Sequence, residues 1–345
     1  MSEAIEPIAP VRRGIIRVSV ALTVAFTVRF PWLSPRVVGP LRPKYRPDKV
    51  PQMSSYLNNL LRTTRALVLF GATSSLALTS LTAALGDNIY TNNFNNGSTD
   101  ENRLELYRGM DRLTVGSYSI GGRSGGMAKV THTASSGWES VLGDPDIPNV
   151  TQATVRYRVF FPGSWQFRLQ GKLPGLQPEQ AHFGGNADDP VEWNKWSVRL
   201  MWISTTATVQ GGDDTKARPS IYVYDQNRQL GNTGTHYRVD YNFPENKWLA
   251  ISMYVKLNTH NGSIANSNGE VRLYIDGVLV ETVTGLKLVG NIPSGRSASE
   301  ARISRVAFHN YYGGSKTGLN VPTVSSTTCY FDDLSVFEGF NKLEP

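Results

Sequence analysis

From Asp87 onward, apolar residues recur at every second position in short runs. In "ATVRYRVFF", Val155, Tyr157 and Val159 alternate with Arg156 and Arg158. In "WLAISMYVKL", Ile251, Met253, Val255 and Leu257 alternate with Ser252, Tyr254 and Lys256. A period of two sends successive side chains to opposite faces of a strand. "EVRLYIDGVLVETV" sets Asp276-Gly277 between two apolar runs, a strong signal for a tight hairpin. "ARISRVAFHNYY" and "TTCYFDDLSVF" supply the last strands. Helical periodicity is scarce, and clusters of Pro, Gly, Asn and Asp separate the runs. About a dozen short strands predict an all-β fold, two antiparallel sheets packed as a jelly-roll sandwich. The Gly-, Ser- and Asn-rich stretches 118–126, 210–215 and 258–269 read as loops within it.

The first 86 residues follow another pattern. The apolar stretch Val18 to Val28 is short for a membrane span, and a Pro- and Arg-rich segment follows it. Met53 then opens a basic region with Arg62 and Arg65, an apolar run diluted by Ser and Thr, and small residues at Ala84 and Gly86. That order predicts a signal peptide over 53–86, with a signal anchor as the alternative. Residues 1–52 read as an unstructured extension or a misassigned start, and 87–345 as a single jelly-roll domain. The expectation is a secreted, monomeric chain with no stable membrane association after cleavage. Three sequons, at Asn96, Asn149 and Asn261, are compatible with that route.

Composition narrows the chemistry. The 345-residue chain is 40% hydrophobic and 18% charged, which suits a folded core rather than general disorder. A net charge of +7 favours an acidic partner, yet no Lys/Arg block marks a nucleic-acid arm. Cys329 is the one cysteine, so an internal disulfide and a thiolate metal cluster are both excluded. It reads as a buried, inert residue. The five histidines, 132, 182, 236, 260 and 309, are scattered without metal-ligand spacing. No metal and no cofactor are expected.

Three strands carry polar groups on one face and apolar groups on the other. Arg168, Gln170 and Lys172 share a face in "WQFRLQGKLPGL". Ser197 and Arg199 share one in "WSVRLMW", with Trp196, Val198, Leu200 and Trp202 behind. Tyr222 and Tyr224 share one in "SIYVYD". Any solvated sheet face has this look, and "LPGL" alone is only a turn. The order of the elements says more. "GKLPGL", a Gly-Gly, "WSVRLMW" and "YVY" together resemble polysaccharide lyase family 14, alginate and glucuronan lyases on a concanavalin-A-like jelly roll. "VRYRVFFPGSWQFRLQGKLPGL" resembles the strand leading into that family's lysine motif. "RVAFHNYYGGS" resembles its late aromatic motif, and "YFDDLSVF" its closing strand. The resemblance runs from about Val150 to Phe337 and implies a catalytic group of Lys172, Ser197, Arg199, Tyr222 and Tyr224. Two features depart from the family: "QPEQAHF" intervenes before Gly184-Gly185, and the cysteines flanking the Ser-x-Arg strand in many fungal relatives are absent.

The resemblance implies an anionic polysaccharide substrate cut by β-elimination. A base removes the C5 proton, α to a carboxylate, and the 4-O-glycosidic bond leaves. The dianionic enolate that builds up needs cations and donors at the carboxylate. Arg199 can grip a carboxylate bidentately, Lys172 adds a compact charge, and Ser197 adds a hydrogen bond. A cation beside Tyr222 or Tyr224 would lower the phenol's pKa and make it the base. Arg168, Gln170 and His309 are expected to contact substrate. A glycoside hydrolase would need two facing carboxylates. Asp188-Asp189 and Asp213-Asp214 read as loop residues, and Asp332-Asp333 as strand neighbours on opposite faces. The rival reading is a non-catalytic module that binds acidic glycans, with Trp193, Trp196 and Trp202 stacking on sugars.

Overall fold

The computed structural model describes residues 86–133, 139–167, 169–181, 191–204, 216–228, 233–313 and 326–345. The expectations for 1–52, for 53–86 apart from Gly86, for 210–215, and for Arg168 and His182 lie outside the described residues. The period-two runs form strands. In chain order they are β1 (Asn88–Asn92), β2 (Leu106–Arg108), β3 (Leu113–Ile120), β4 (Arg123–His132), β5 (Glu139–Gly143) and β6 (Asp146–Val150). Next come β7 (Gln152–Phe160), β8 (Gln170–Gln177), β9 (Ser197–Ser204), β10 (Ala217–Tyr224), β11 (Thr235–Arg238) and β12 (Trp248–Lys256). Last are β13 (His260–Asn261), β14 (Ile264–Ala265), β15 (Gly269–Ile275), β16 (Val278–Leu286), β17 (Ile303–Gly313) and β18 (Thr327–Glu338).

Two large antiparallel sheets result. The back sheet runs β16-β15-β12-β7-β18-β4-β3, with β1 on β18. The front sheet runs β11-β10-β9-β8-β17-β5-β2, with β6 on β17. The core lies between them and follows the predicted alternation. Val155, Tyr157 and Val159 of β7 meet Val198, Leu200 and Trp202 of β9 and Ile221 and Val223 of β10 in one buried cluster. This is the predicted two-sheet jelly roll. Buried Trp196 and Trp202 donate their indole N–H to the carbonyls of Ala301 (3.0 Å) and Phe167 (2.8 Å). They belong to the core and are not sugar platforms. Cys329 is buried and free, and burial pushes its thiol pKa up.

The Asp276-Gly277 hairpin forms as predicted. Both residues have positive φ, 50° and 75°, as a tight two-residue turn requires. Three local expectations fail. Residues 118–126 are the paired ends of β3 and β4, not a loop, because Gly121 and Gly122 alone make the turn. Within 258–269, β13 and β14 form a small hairpin. "LPGL" is not a turn: β8 runs straight through Pro174, with register shifts against both β9 and β17. A proline lacks the ladder N–H, and a bulge is where a sheet tolerates it.

Candidate active site

The face of the front sheet turned away from the core gathers the predicted side chains. Antiparallel pairing sets Tyr222 opposite Arg199 and Tyr224 opposite Ser197. On the other flank of β9, Lys172 of β8 lies opposite Met201, and Tyr311 of β17 lies opposite Lys172. Strand spacing near 4.8 Å then brings side chains from β10, β9, β8 and β17 into one array. Glycine makes the approach possible. A Cβ on Gly175 would sit 2.1 Å from the Val198 carbonyl oxygen and 2.9 Å from Cγ of Arg199.

Within the array, an Nη of Arg199 donates to Ser197 Oγ at 2.7 Å. Its other Nη lies 3.2 Å from Nδ1 of His309. The Tyr222 and Tyr224 hydroxyls are 2.9 Å apart, and Tyr222 donates to the Thr233 carbonyl at 2.6 Å. Tyr224 therefore donates to Tyr222. Lys172 Nζ lies 5.2 Å from the ring centre of Tyr311 and 5.8 Å from that of Tyr222. The Arg199 guanidinium stands 5.5 Å from the Tyr224 ring centre, and Arg228 approaches that ring at 5.8 Å. Arg199 and Ser197 are fully buried and form the floor. Gln170, Lys172 and Tyr311 are half-buried, so the array opens to solvent along β8 and β17.

So Lys172, Ser197, Arg199, Tyr222, Tyr224 and His309 come together. Gln170 shares their face, next to Ile203 of β9. Arg168 lies outside the described residues. The sequence reading missed Tyr311, Asp144, Tyr107 and Arg228. Tyr311 had a signal, since it is two residues from His309 on the same strand. Asp144 and Tyr107 had none, because they arrive from distant segments to meet His309 Nε2 at 2.8 Å and 3.4 Å.

Burial governs the electrostatics. It holds the Lys172 ammonium well below its ordinary pKa, and the positive charge of Arg199 adds to the effect. Burial also lowers Arg199, against the pull of Tyr224, Tyr222, Asp144 and Tyr107. The Tyr224 phenol moves up, first through burial and then through Tyr222, and the nearby Arg199 and Arg228 do not reverse this. The expected lowering by a neighbouring cation is overturned at Tyr224: desolvation of a phenolate costs more here than the guanidiniums return. The buried Arg199 and the half-buried Lys172 share one face of the sheet, an arrangement suited to an anion. Among the described residues, no group of three His, Cys, Asp or Glu side chains could hold a metal ion.

The acidic pair sits elsewhere. Asp332 and Asp333 are on β18 of the back sheet and both bind Arg123, at 2.8 and 2.9 Å. Arg158 also holds Asp333, at 3.0 Å. The expectation that they point to opposite faces fails because the register shifts after Asp332 and Asp333 has φ of 52°.

Residues 116–334, well over half the chain, match the family described as Polysaccharide lyase 14. The chain belongs to polysaccharide lyase family 14. It is thus an enzyme, a polysaccharide lyase, and not a non-catalytic module. Three solved structures place the lyase fold beside it. Alginate lyase Aly36B is 20% identical with a TM-score of 0.55, over 76% of this chain and 100% of that one. Alginate lyase vAL-1 from Chlorella virus is 17% identical with a TM-score of 0.52, over 73% of this chain and 100% of that one. The marine PL-14 alginate lyase from Aplysia kurodai is 16% identical with a TM-score of 0.52, over 73% of this chain and 99% of that one. At these identities the likeness establishes the fold. A comparison with curated protein sequences gives no match.

Proposed function

We propose that this lyase cleaves a uronic-acid polysaccharide, alginate or glucuronan, by β-elimination. The observation that carries the reading is Lys172 and Arg199 gathered on one sheet face beside two hydrogen-bonded tyrosines. Arg199, with Ser197, receives the carboxylate of the sugar to be cut and absorbs charge as its enolate forms. Lys172 takes the C5 proton. Its depressed pKa makes the neutral amine accessible, and Tyr224, held protonated by burial, is the poorer base. The electron pair released at C5 becomes the C4–C5 double bond, and the 4-O bond breaks. Tyr224, hydrogen-bonded to Tyr222, returns a proton to the leaving oxygen. The similar solved structures named as alginate lyases make alginate the first substrate to try.

The test is a panel of polymannuronate, polyguluronate and polyglucuronate, read by the ultraviolet absorbance of the unsaturated product. Wild-type protein should form that product on at least one. Arg199→Ala, Lys172→Ala and Tyr224→Phe should each lower kcat by roughly 10²-fold or more while melting like wild type. The wild-type rate should climb as pH rises through the lowered Lys172 pKa, below the ordinary lysine value of 10.5. Activity surviving in Lys172→Ala would remove the lysine as base. Binding of all three polymers without unsaturated ends would sink the elimination.

Secretion belongs to the same proposal. The signal-like segment ends at Gly86, and the first strand of the domain starts at Asn88. Chain recovered from the medium should begin at Asp87 by N-terminal sequencing; an intact Met1 or Met53 there would refute cleavage.

A further inference from the structure

We propose that His309, backed by Asp144, is a positioning residue that fixes the Arg199 guanidinium on the floor of the site. The role of Arg199 rests on the uronate reading above; the geometry of the relay stands on its own. His309 sits on β17 and Arg199 on β9, with β8 between them. They meet because Gly175, opposite Arg199 on β8, has no side chain to fill the gap.

The chemistry of the contact selects one tautomer. A guanidinium N–H can only donate, so Nδ1 of His309 at 3.2 Å must accept. The ring proton then resides on Nε2, which donates to Asp144 Oδ1 at 2.8 Å. The Tyr107 hydroxyl lies 3.4 Å from the same nitrogen, and His309 is 2% exposed. An imidazole so held is neutral, and it separates a cation from a carboxylate. A direct Arg199–Asp144 pair would be bidentate and would neutralise the guanidinium. With the ring as spacer, Arg199 keeps its charge for a ligand while its plane is pinned at two points, His309 and Ser197 Oγ. Among the described residues, charged and titratable groups around the ring include Arg199, Lys172, Asp144 and Tyr107, and burial, helped by the two cations, outweighs the pull of Asp144 and opposes its protonation. His309 thus acts beneath the substrate, through Arg199.

Two arms test this on the full chain. Ring nitrogen-15 NMR of the wild-type protein should find His309 neutral and protonated on Nε2 throughout about pH 5.5–8, the range in which a free imidazole titrates. An Nδ1–H tautomer, or protonation within that range, would overturn the proposal. In the second arm, His309→Leu and His309→Asn both remove the ring, but only the Asn amide oxygen can accept from Arg199. Leu should lower kcat on uronan by roughly 10–100-fold, the usual scale for a group that orients a functional side chain, and Asn should restore most of it. Equal activity in the two variants, or better activity in the Leu variant, would leave only a packing role and sink the inference. If wild type forms no unsaturated product on any uronan, the substrate reading fails and the NMR arm alone decides the relay.

Discussion

Lys172 and Tyr224 show how burial can redirect chemistry that residue type alone suggests. A tyrosine beside arginines looks like a base and a lysine like a fixed charge. Within the site desolvation of the ammonium and the charge of Arg199 together lower Lys172, whereas at Tyr224 desolvation of the phenolate outweighs Arg199 and Arg228, so the lysine sheds its proton more readily and the tyrosine keeps it. The same physics makes His309 a measurable element of stability. Burial lowers its pKa from 6.5 to about 4, so the unfolded chain takes up a proton that the folded chain refuses. Stability from this group is complete above pH 6.5 and drains away as pH falls towards 4. Between pH 7 and about 4.5 the loss is on the order of 2 kcal/mol. Urea melts at these two values should show a smaller acid loss in His309→Asn than in wild type by about that amount. Identical losses would mean that His309 titrates normally in the fold.

At the scale of the element, β8 carries the most constraint. Gly171 and Gly175 flank Lys172 and allow the strand to close on β9, and Pro174 forces the irregularity between them. A Cβ at Gly171 would fall 1.8 Å from Cζ2 of Trp202, itself fully buried and hydrogen-bonded to Phe167. Gly171→Ala is therefore expected to cost on the order of 3 kcal/mol in urea unfolding. It should also lower lyase activity in the surviving folded fraction, because the neighbouring Lys172 shifts with its strand. Neither effect would appear if Trp202 could turn aside. The strand itself was legible from its alternation, and the face carrying Gln170 and Lys172 followed. The bulge was not legible, since Pro-Gly in isolation signals a turn. What overrides that signal is pairing on both flanks, with β9 and β17, and those contacts come from far along the chain.

For the whole molecule, the sandwich keeps chemistry and reinforcement on different sheets. The front sheet carries the lyase array, and the outer face of the back sheet carries the C-terminal segment after β18. There Thr154 donates to the Gly339 carbonyl at 2.7 Å, and the Leu343 amide donates to Ser252 at 2.7 Å. Phe340 packs near Tyr254 and Tyr274, with ring centres 6.0 and 5.2 Å away. Deleting residues 340–345 should lower Tm by on the order of 5 °C, equivalent to about 2 kcal/mol for a domain of this size. Thermal scanning with uronan assays at low temperature checks this: an unchanged Tm would deny the segment a structural role, and a lost activity at full folding would tie it to the front sheet.

The sequence by itself determined the period-two strands, the Asp276-Gly277 hairpin and which side chains share a face, because each depends only on residues a few positions apart. The resemblance to polysaccharide lyase family 14, not any local pattern, marked Lys172, Ser197, Arg199, Tyr222 and Tyr224 as one group. Only the tertiary structure decided that Asp144 and Tyr107 stand behind His309, that Asp332 and Asp333 turn to one side, and that Lys172 and Tyr224 shift their proton affinities in opposite senses. Those outcomes arise from burial and from contacts across more than a hundred residues, and no local pattern encodes either.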